Sequence, residues 1–171
     1  AYAEQSTESV NEKLIDCYIR IGDIQKELEN DEGAQDAYKS AYEKLEKNPE
    51  LSTEPDEMAK QAVQLDRNGD LLLRLGKWDE ALDSYCASRK QRKQLVNVRS
   101  TPQTQMDLAA SCSKVASMLN SREKRKEAEE YYHEAYCLLE NLRKNTKSDR
   151  ILSAWYECIN NLNGICIKTE R

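Results

Sequence analysis

Small and apolar side chains recur along this chain in a helical rhythm, and the rhythm repeats every 47 residues. Gly22 is followed by Gly69 and Ala116, Ala34 by Ala81 and Ala128, Tyr38 by Tyr85 and Tyr132, and Ala41 by Ser88 and Ala135. The same step carries Ile21 to Asn68, Val115 and Leu162, and Arg20 to Arg67, Lys114 and Asn161. Helix starts keep this phase: Thr7, Glu54, Thr101 and Ser148 each precede Glu8, Pro55, Pro102 or Asp149. A hydroxyl accepts a first-turn N–H, proline has none to leave unpaired there, and an acid suits the positive end of the helix dipole. The pattern predicts first helices over 8–28, 55–75, 102–121 and 149–169, and second helices over 31–47, 78–97 and 124–144. The linkers NPELSTE, NVRST and NTKS supply the Pro, Asn, Ser and Thr expected between them.

Each unit has a physical logic. Gly69 and Ala81 fall where two antiparallel helices approach, because a large side chain would hold the axes apart, and Tyr85 fills the wider gap beyond. Gly76 stands where the chain leaves a first helix, a place for a left-handed residue. Glu29 and Glu123 replace it in the other copies, which predicts looser turns there.

The apolar residue followed by a small one, the Gly-x-aromatic step Gly76 to Trp78, and the second-helix series of Ala81 and Tyr85 resemble the tetratricopeptide repeat. Leu65, Gly69 and Leu72 fall in the same spacing, and the third copy keeps Val115, Ala116, Ala128, Tyr132 and Ala135; Asn68, Ser88 and Arg89 depart from it. The long unit, with CINNLNGIC in the last copy, is similar to the kinesin-light-chain type of array and to long repeats of bacterial multidomain proteins. The resemblance implies an all-α, right-handed superhelical solenoid of antiparallel helix hairpins. It is read as one domain over 1–171, with repeats 7–53, 54–100 and 101–147 and a half repeat 148–171, cut from a longer chain.

A solenoid of this kind lines its concave face with first helices. The expected groove residues are Arg20, Asp23 and Lys26; Asp66, Arg67, Asp70 and Arg74; Ser113, Lys114, Ser117 and Asn120; and Asn160 and Asn161. Basic groups three residues before acids either hydrogen-bond an extended peptide or simply solubilise a helix face. A clamp for a chaperone's C-terminal carboxylate does not fit, because Ile19, Asp23, Arg67, Ala110 and Lys114 stand at its positions and an acid repels that ligand. The implied function is a non-catalytic scaffold binding a peptide or protein segment. The alternative is a regulatory or sensor module that contacts a neighbouring domain of its own larger signalling protein.

Composition narrows the picture further. The net charge is -5, and 33% of residues are charged. Residues 1–60 are strongly acidic, and the basic clusters Arg89, Lys90, Arg92, Lys93 and Arg122, Lys124, Arg125, Lys126 fall on second helices without an aromatic platform, so they are read as solvated and nucleic acid is not expected. No apolar stretch is long enough for a membrane span and no leader is evident, which predicts a cytoplasmic protein. Six irregularly spaced cysteines read as small buried thiols in a reducing compartment. With one histidine, His133, and no C-x-x-C pair, no metal is expected. No phosphate loop, nucleophile elbow or acid–base pair is present, so neither catalysis nor a cofactor is expected. The apolar stripe of helix 149–169, ending in Ile165 and Cys166, predicts an exposed end through which the chain self-associates or is capped by a further helix.

Overall fold

The computed structural model describes residues 2–44 and 53–169, and among them the chain is entirely helical. Seven helices follow one another: α1 (Tyr2–Glu27), α2 (Asp31–Lys44), α3 (Pro55–Arg74), α4 (Trp78–Val98), α5 (Pro102–Ser121), α6 (Arg125–Asn145) and α7 (Asp149–Thr169). The chain divides into two compact units, residues 1–50 with 64–84, and residues 51–63 with 85–171. α3 and α4 each contribute to both.

The starts of α3, α5 and α7 fall where Pro55, Pro102 and Asp149 predict them. Thr101 shows why: its hydroxyl accepts the backbone N–H of Thr104, whose own hydroxyl accepts the N–H of Thr101. α1 departs from the prediction. It begins at Tyr2, so Thr7 lies inside the helix rather than at its start. The first copy has no proline at the start position, and Ala3, Glu4 and Gln5 are good helix formers that let the helix run on. The predicted end of α2, at 47, lies outside the described residues.

The three turns inside the repeats are alike, and the expectation of looser turns at Glu29 and Glu123 is overturned. Glu29, Gly76 and Glu123 all adopt left-handed backbone, with φ of 58°, 74° and 61°. Each donates its N–H three residues back, and the residue after it donates five residues back, as in Asn30 to Gln25, Lys77 to Leu72 and Lys124 to Leu119. These paired bonds satisfy the helix-end carbonyls strongly enough to hold a glutamate where glycine is unstrained.

Every small-residue and tyrosine column read from the sequence is buried. In the first unit Ile15, Ala34, Tyr38, Ala41 and Leu71 form one cluster, with Tyr18, Ile19, Tyr42 and Leu75 packed against it. Gly22 is required there, because a Cβ on it would lie 2.3 Å from Cε1 of Tyr38. In the second unit α5 packs on α6 and α6 on α7. Ile151, Cys158 and Ile165, seven residues apart on one face of α7, are all buried. Ile165, expected to be exposed, is only 1% exposed; among the described residues, Leu152 and Tyr156 are large apolar residues that α7 shows to solvent. The side chain of Cys166 lies outside the described residues.

Ser88, a departure from the family pattern, is buried and donates its hydroxyl to the Ala62 carbonyl at 2.8 Å while accepting from Arg92 at 2.6 Å. Among the described residues no helix is long and apolar enough to cross a membrane.

Candidate functional site

The expected groove residues behave differently in the two units. In the first unit Asp23 and Arg74 form an ion pair between α1 and α3, and the Tyr38 hydroxyl donates to the same carboxylate at 2.8 Å. The Arg74 guanidinium also lies 5.3 Å from the centre of the Tyr38 ring. Burial first, and then the bond to Asp23, pushes the Tyr38 phenol above its ordinary range. These side chains are occupied with one another. Arg20 and Lys26 are exposed on α1, and Asp66, Arg67 and Asp70 are half-buried on α3.

In the second unit α5, α6 and α7 enclose an open cleft of about 550 Å³. The α5 wall combines Met106 with the small side chains of Ala109, Ala110, Ser113 and Ser117, and Ala154 lines the cleft from α7. Tyr132, Leu139 and Cys158 are buried residues that give the cleft an apolar base. Asp107, Lys114, Arg150, Glu157 and Asn161 bring charge of both signs and an amide to the lining. Ser113, Lys114, Ser117 and Asn161, predicted from sequence, therefore share one cleft; Asn120, half-buried, and Asn160, exposed, do not line it.

The base of this cleft is fixed. The Tyr132 hydroxyl is hydrogen-bonded to Ser117, and burial raises its phenol above the ordinary value. Cys158 donates its thiol to the Tyr132 carbonyl at 3.3 Å, and burial pushes that thiol up to about 11. Cys158 is thus a protonated apolar surface at neutral pH rather than a nucleophile. The Lys114 ammonium sits 4.5 Å from the centre of the Tyr85 ring, which holds its stem along the cleft edge.

A second polar group in this unit was read from sequence as solvated surface, and the structure corrects that reading. Arg89 is largely buried; it pairs with Glu134, donates to Cys112 Sγ at 3.3 Å, and lies 4.8 Å from the Tyr131 ring centre. Lys93 adds a 3.0 Å bond to Glu134. Burial alone would raise the Glu134 carboxyl, but bonds from Arg89 and Lys93 outweigh it and hold it below the ordinary range. Arg89 stands in the column of Tyr42 and Tyr136, a packing position, which was the available signal that it is not surface.

The cysteines are mixed rather than uniformly buried: Cys112 and Cys158 are buried, Cys86 is half-buried, and Cys17 and Cys137 are exposed, all as free thiols. His133 is exposed and lies 3.6 Å from Cys137, one turn on. Among the described residues no group of His, Cys, Asp or Glu could hold a metal ion.

Solved structures with a similar helical fold exist. The yeast histone chaperone Hif1, described as a scaffold protein recruiting protein complexes to core histones, superposes with a TM-score of 0.55 at 14% identity over 79% of this chain and 54% of its own. BtubC (BKLC) from P. vanneervenii superposes with a TM-score of 0.54 at 16% identity over 94% of this chain and 65% of its own. The chain thus spans about half to two thirds of these proteins, and at such identity the likeness is one of fold: an all-helical repeat of the tetratricopeptide-like kind. No protein-family model and no curated protein matches the chain.

Proposed function

We propose that this chain is a protein-interaction scaffold whose α5–α7 cleft receives a peptide segment of a partner. The observation that carries the reading is the cleft's construction. Alanines and serines beside Met106 in the wall leave room for a main chain to come close, a buried Tyr132–Leu139–Cys158 base takes an apolar side chain, and Ser113, Ser117 and Asn161 offer donors and acceptors for main-chain amides. Asp107 and Glu157 with Lys114 and Arg150 favour a segment that carries both signs of charge, and a mixed lining selects register more than it adds affinity. Support of a coarser kind comes from fold, since the structurally similar yeast chaperone is described as a scaffold. The reading narrows the groove expected along all first helices to its portion in the third and last copies, because Asp23 of the first repeat and Arg74 of the second already satisfy each other.

Selection of a displayed random-peptide library on the purified chain tests this. Peptides recovered should contain an apolar residue flanked by charge, and Ser113→Ile with Ala154→Leu, which fills the cleft, should weaken them by about ten-fold or more without loss of helicity. Lys90→Glu with Lys126→Glu, both exposed, is the control away from the cleft. Peptides that bind the filled variant as well as the parent, and lose affinity only in the control, would move the site to the other surface.

A further inference from the structure

α1 is apolar on two faces, and only one of them is covered. Ile15 and Gly22 are buried, with Tyr18 and Ile19 packed partly beside them. A separate stripe, Val10, Leu14, Cys17, Ile21 and Ile24, continued by Leu28 in the turn just after the helix, is exposed along its whole length; Val10 is 59%, Ile24 55% and Leu28 70% exposed. The spacings are four, three, four, three and four, the alternation of a coiled-coil seam about 27 Å long.

The 47-residue repeat shows what this face does elsewhere. Equivalent positions on α3 include Gln61, Asn68 and Leu71, and on α5 Thr104, Leu108, Ser111, Val115 and Met118, all buried. Leu71, the counterpart of Ile24, packs into the cluster formed with residues of α1 and α2, so a helical hairpin covers it. Those internal docking faces mix Gln, Asn, Thr and Ser with apolar residues. α1 differs from them in carrying apolar residues at all six positions of a heptad register, which suits a partner helix with the same register rather than a copy of the internal contact.

We infer that the occupant is α1 of a second copy of this chain, laid antiparallel. In that arrangement Val10 packs with the partner's Leu28, Leu14 with the partner's Ile24, and Cys17 with the partner's Ile21, so every layer is filled and a two-fold axis passes near residue 19. The flanks select this direction. Lys13 and Glu27, both exposed, occupy the same flank of the seam at opposite ends, so an antiparallel pair sets Lys13 beside the partner's Glu27 twice. Arg20 meets the partner's Arg20 near the axis, a like-charge contact at the edge where both side chains reach water. A parallel pair instead sets Lys13 beside the partner's Tyr18 and Arg20 beside the partner's Gln25, with no attractive pair at all.

Sedimentation equilibrium of the 171-residue chain under reducing conditions decides the matter, with circular dichroism as the check on folding. The parent should be a dimer, and Ile21→Glu with Ile24→Glu should make it a folded monomer that still binds cleft peptides. Glu27→Lys should weaken the dimer about ten-fold by placing like charges together twice, Lys13→Glu with Glu27→Lys should restore it, and Arg20→Gln should tighten it. A monomeric parent overturns the proposal and leaves the seam to a helix of another chain or of a longer form of this one. A dimer unmoved by the paired glutamates overturns it in favour of another surface, such as Leu152 and Tyr156 on α7. A dimer that the glutamates break but the charge reversals do not affect overturns the antiparallel arrangement.

Discussion

The first and third repeats place the same tyrosine on the same helix register and use it in opposite ways. Tyr38 bonds to Asp23, which pairs with Arg74, and that polar corner is closed. Tyr132, 94 residues later, bonds to Ser117 at the base of an open cleft. The residues alongside explain the difference. Where the first repeat carries Ile15 and Ile19, the third carries Ala109 and Ser113, and where the first has an acid able to capture an arginine, the third has a hydroxyl. One repeat is filled by its own side chains. The other leaves that volume empty, and only an empty volume can receive a ligand.

The largest expected effect breaks the first repeat. Gly22→Ala puts a Cβ 2.3 to 2.9 Å from three atoms of the buried, hydrogen-bonded Tyr38 ring, and it should destabilise the chain by about 2 to 3 kcal/mol in urea unfolding, despite alanine's better helix propensity. Ala116 already carries that Cβ at the equivalent place in the third repeat, so the cost belongs to the closed corner alone.

Next in size is a change in the second unit away from the cleft. Glu134→Gln removes the charge that Arg89 and Lys93 share and should cost about 1 to 2 kcal/mol at neutral pH. Because the folded carboxyl is held low, the stabilisation is fully present above the unfolded glutamate value of about 4.3 and is lost as pH falls through the lower folded value. Denaturation measured at stepped pH should therefore show parent and variant converging in acid; a gap that persists there would contradict the ionic account. Cleft binding should be unchanged.

Asp23→Ser converts the first repeat's acid to the third repeat's hydroxyl. It should cost about 1 kcal/mol or less, since the ion pair is partly exposed to water, and the hydroxyl bond to Tyr38 can be remade. If the comparison holds, thermal melting moves little while Arg74, already partly exposed, reacts faster with a guanidine-modifying reagent once its carboxylate partner is gone.

The smallest effects have the opposite sign. Glu29→Gly and Glu123→Gly relieve a left-handed glutamate in turns that share their hydrogen bonds with Gly76, and each should stabilise the chain by about 0.5 to 1 kcal/mol. Equal gains would show that the turns of the two regions are the same device.

Much of the fold was legible because its signals are local. Pro55, Pro102 and the Thr101 cap fix helix starts, and the 47-residue phase of glycine, alanine and tyrosine picks out the buried columns. The start of α1 was not legible, since nothing in Ala3 to Thr7 stops a helix and the phase of the later copies suggested a cap that the chain does not need. The left-handed glutamates were hidden for a related reason: residue preference argued against the conformation that the helix-end hydrogen bonds enforce.

The site was legible in part. Ser113, Lys114, Ser117 and Asn161 were found from their place on first helices, but the cleft itself depends on Ala109, Ala110 and Ala154, which sequence reasoning counts as packing residues. The Asp23–Arg74 and Arg89–Glu134 pairs join residues far apart in the chain and outside the three- and four-residue spacings by which charge pairs are read.

The most direct test of the central claim is amide chemical-shift mapping of the labelled chain with a library-selected peptide. The account predicts that shifts concentrate on Ser113, Lys114, Ser117 and Asn161, and that Ser113→Ile with Ala154→Leu raises the peptide concentration needed to produce them by about ten-fold or more. Shifts gathered instead around Asp23 and Arg74, or around Arg89 and Glu134, would contradict it.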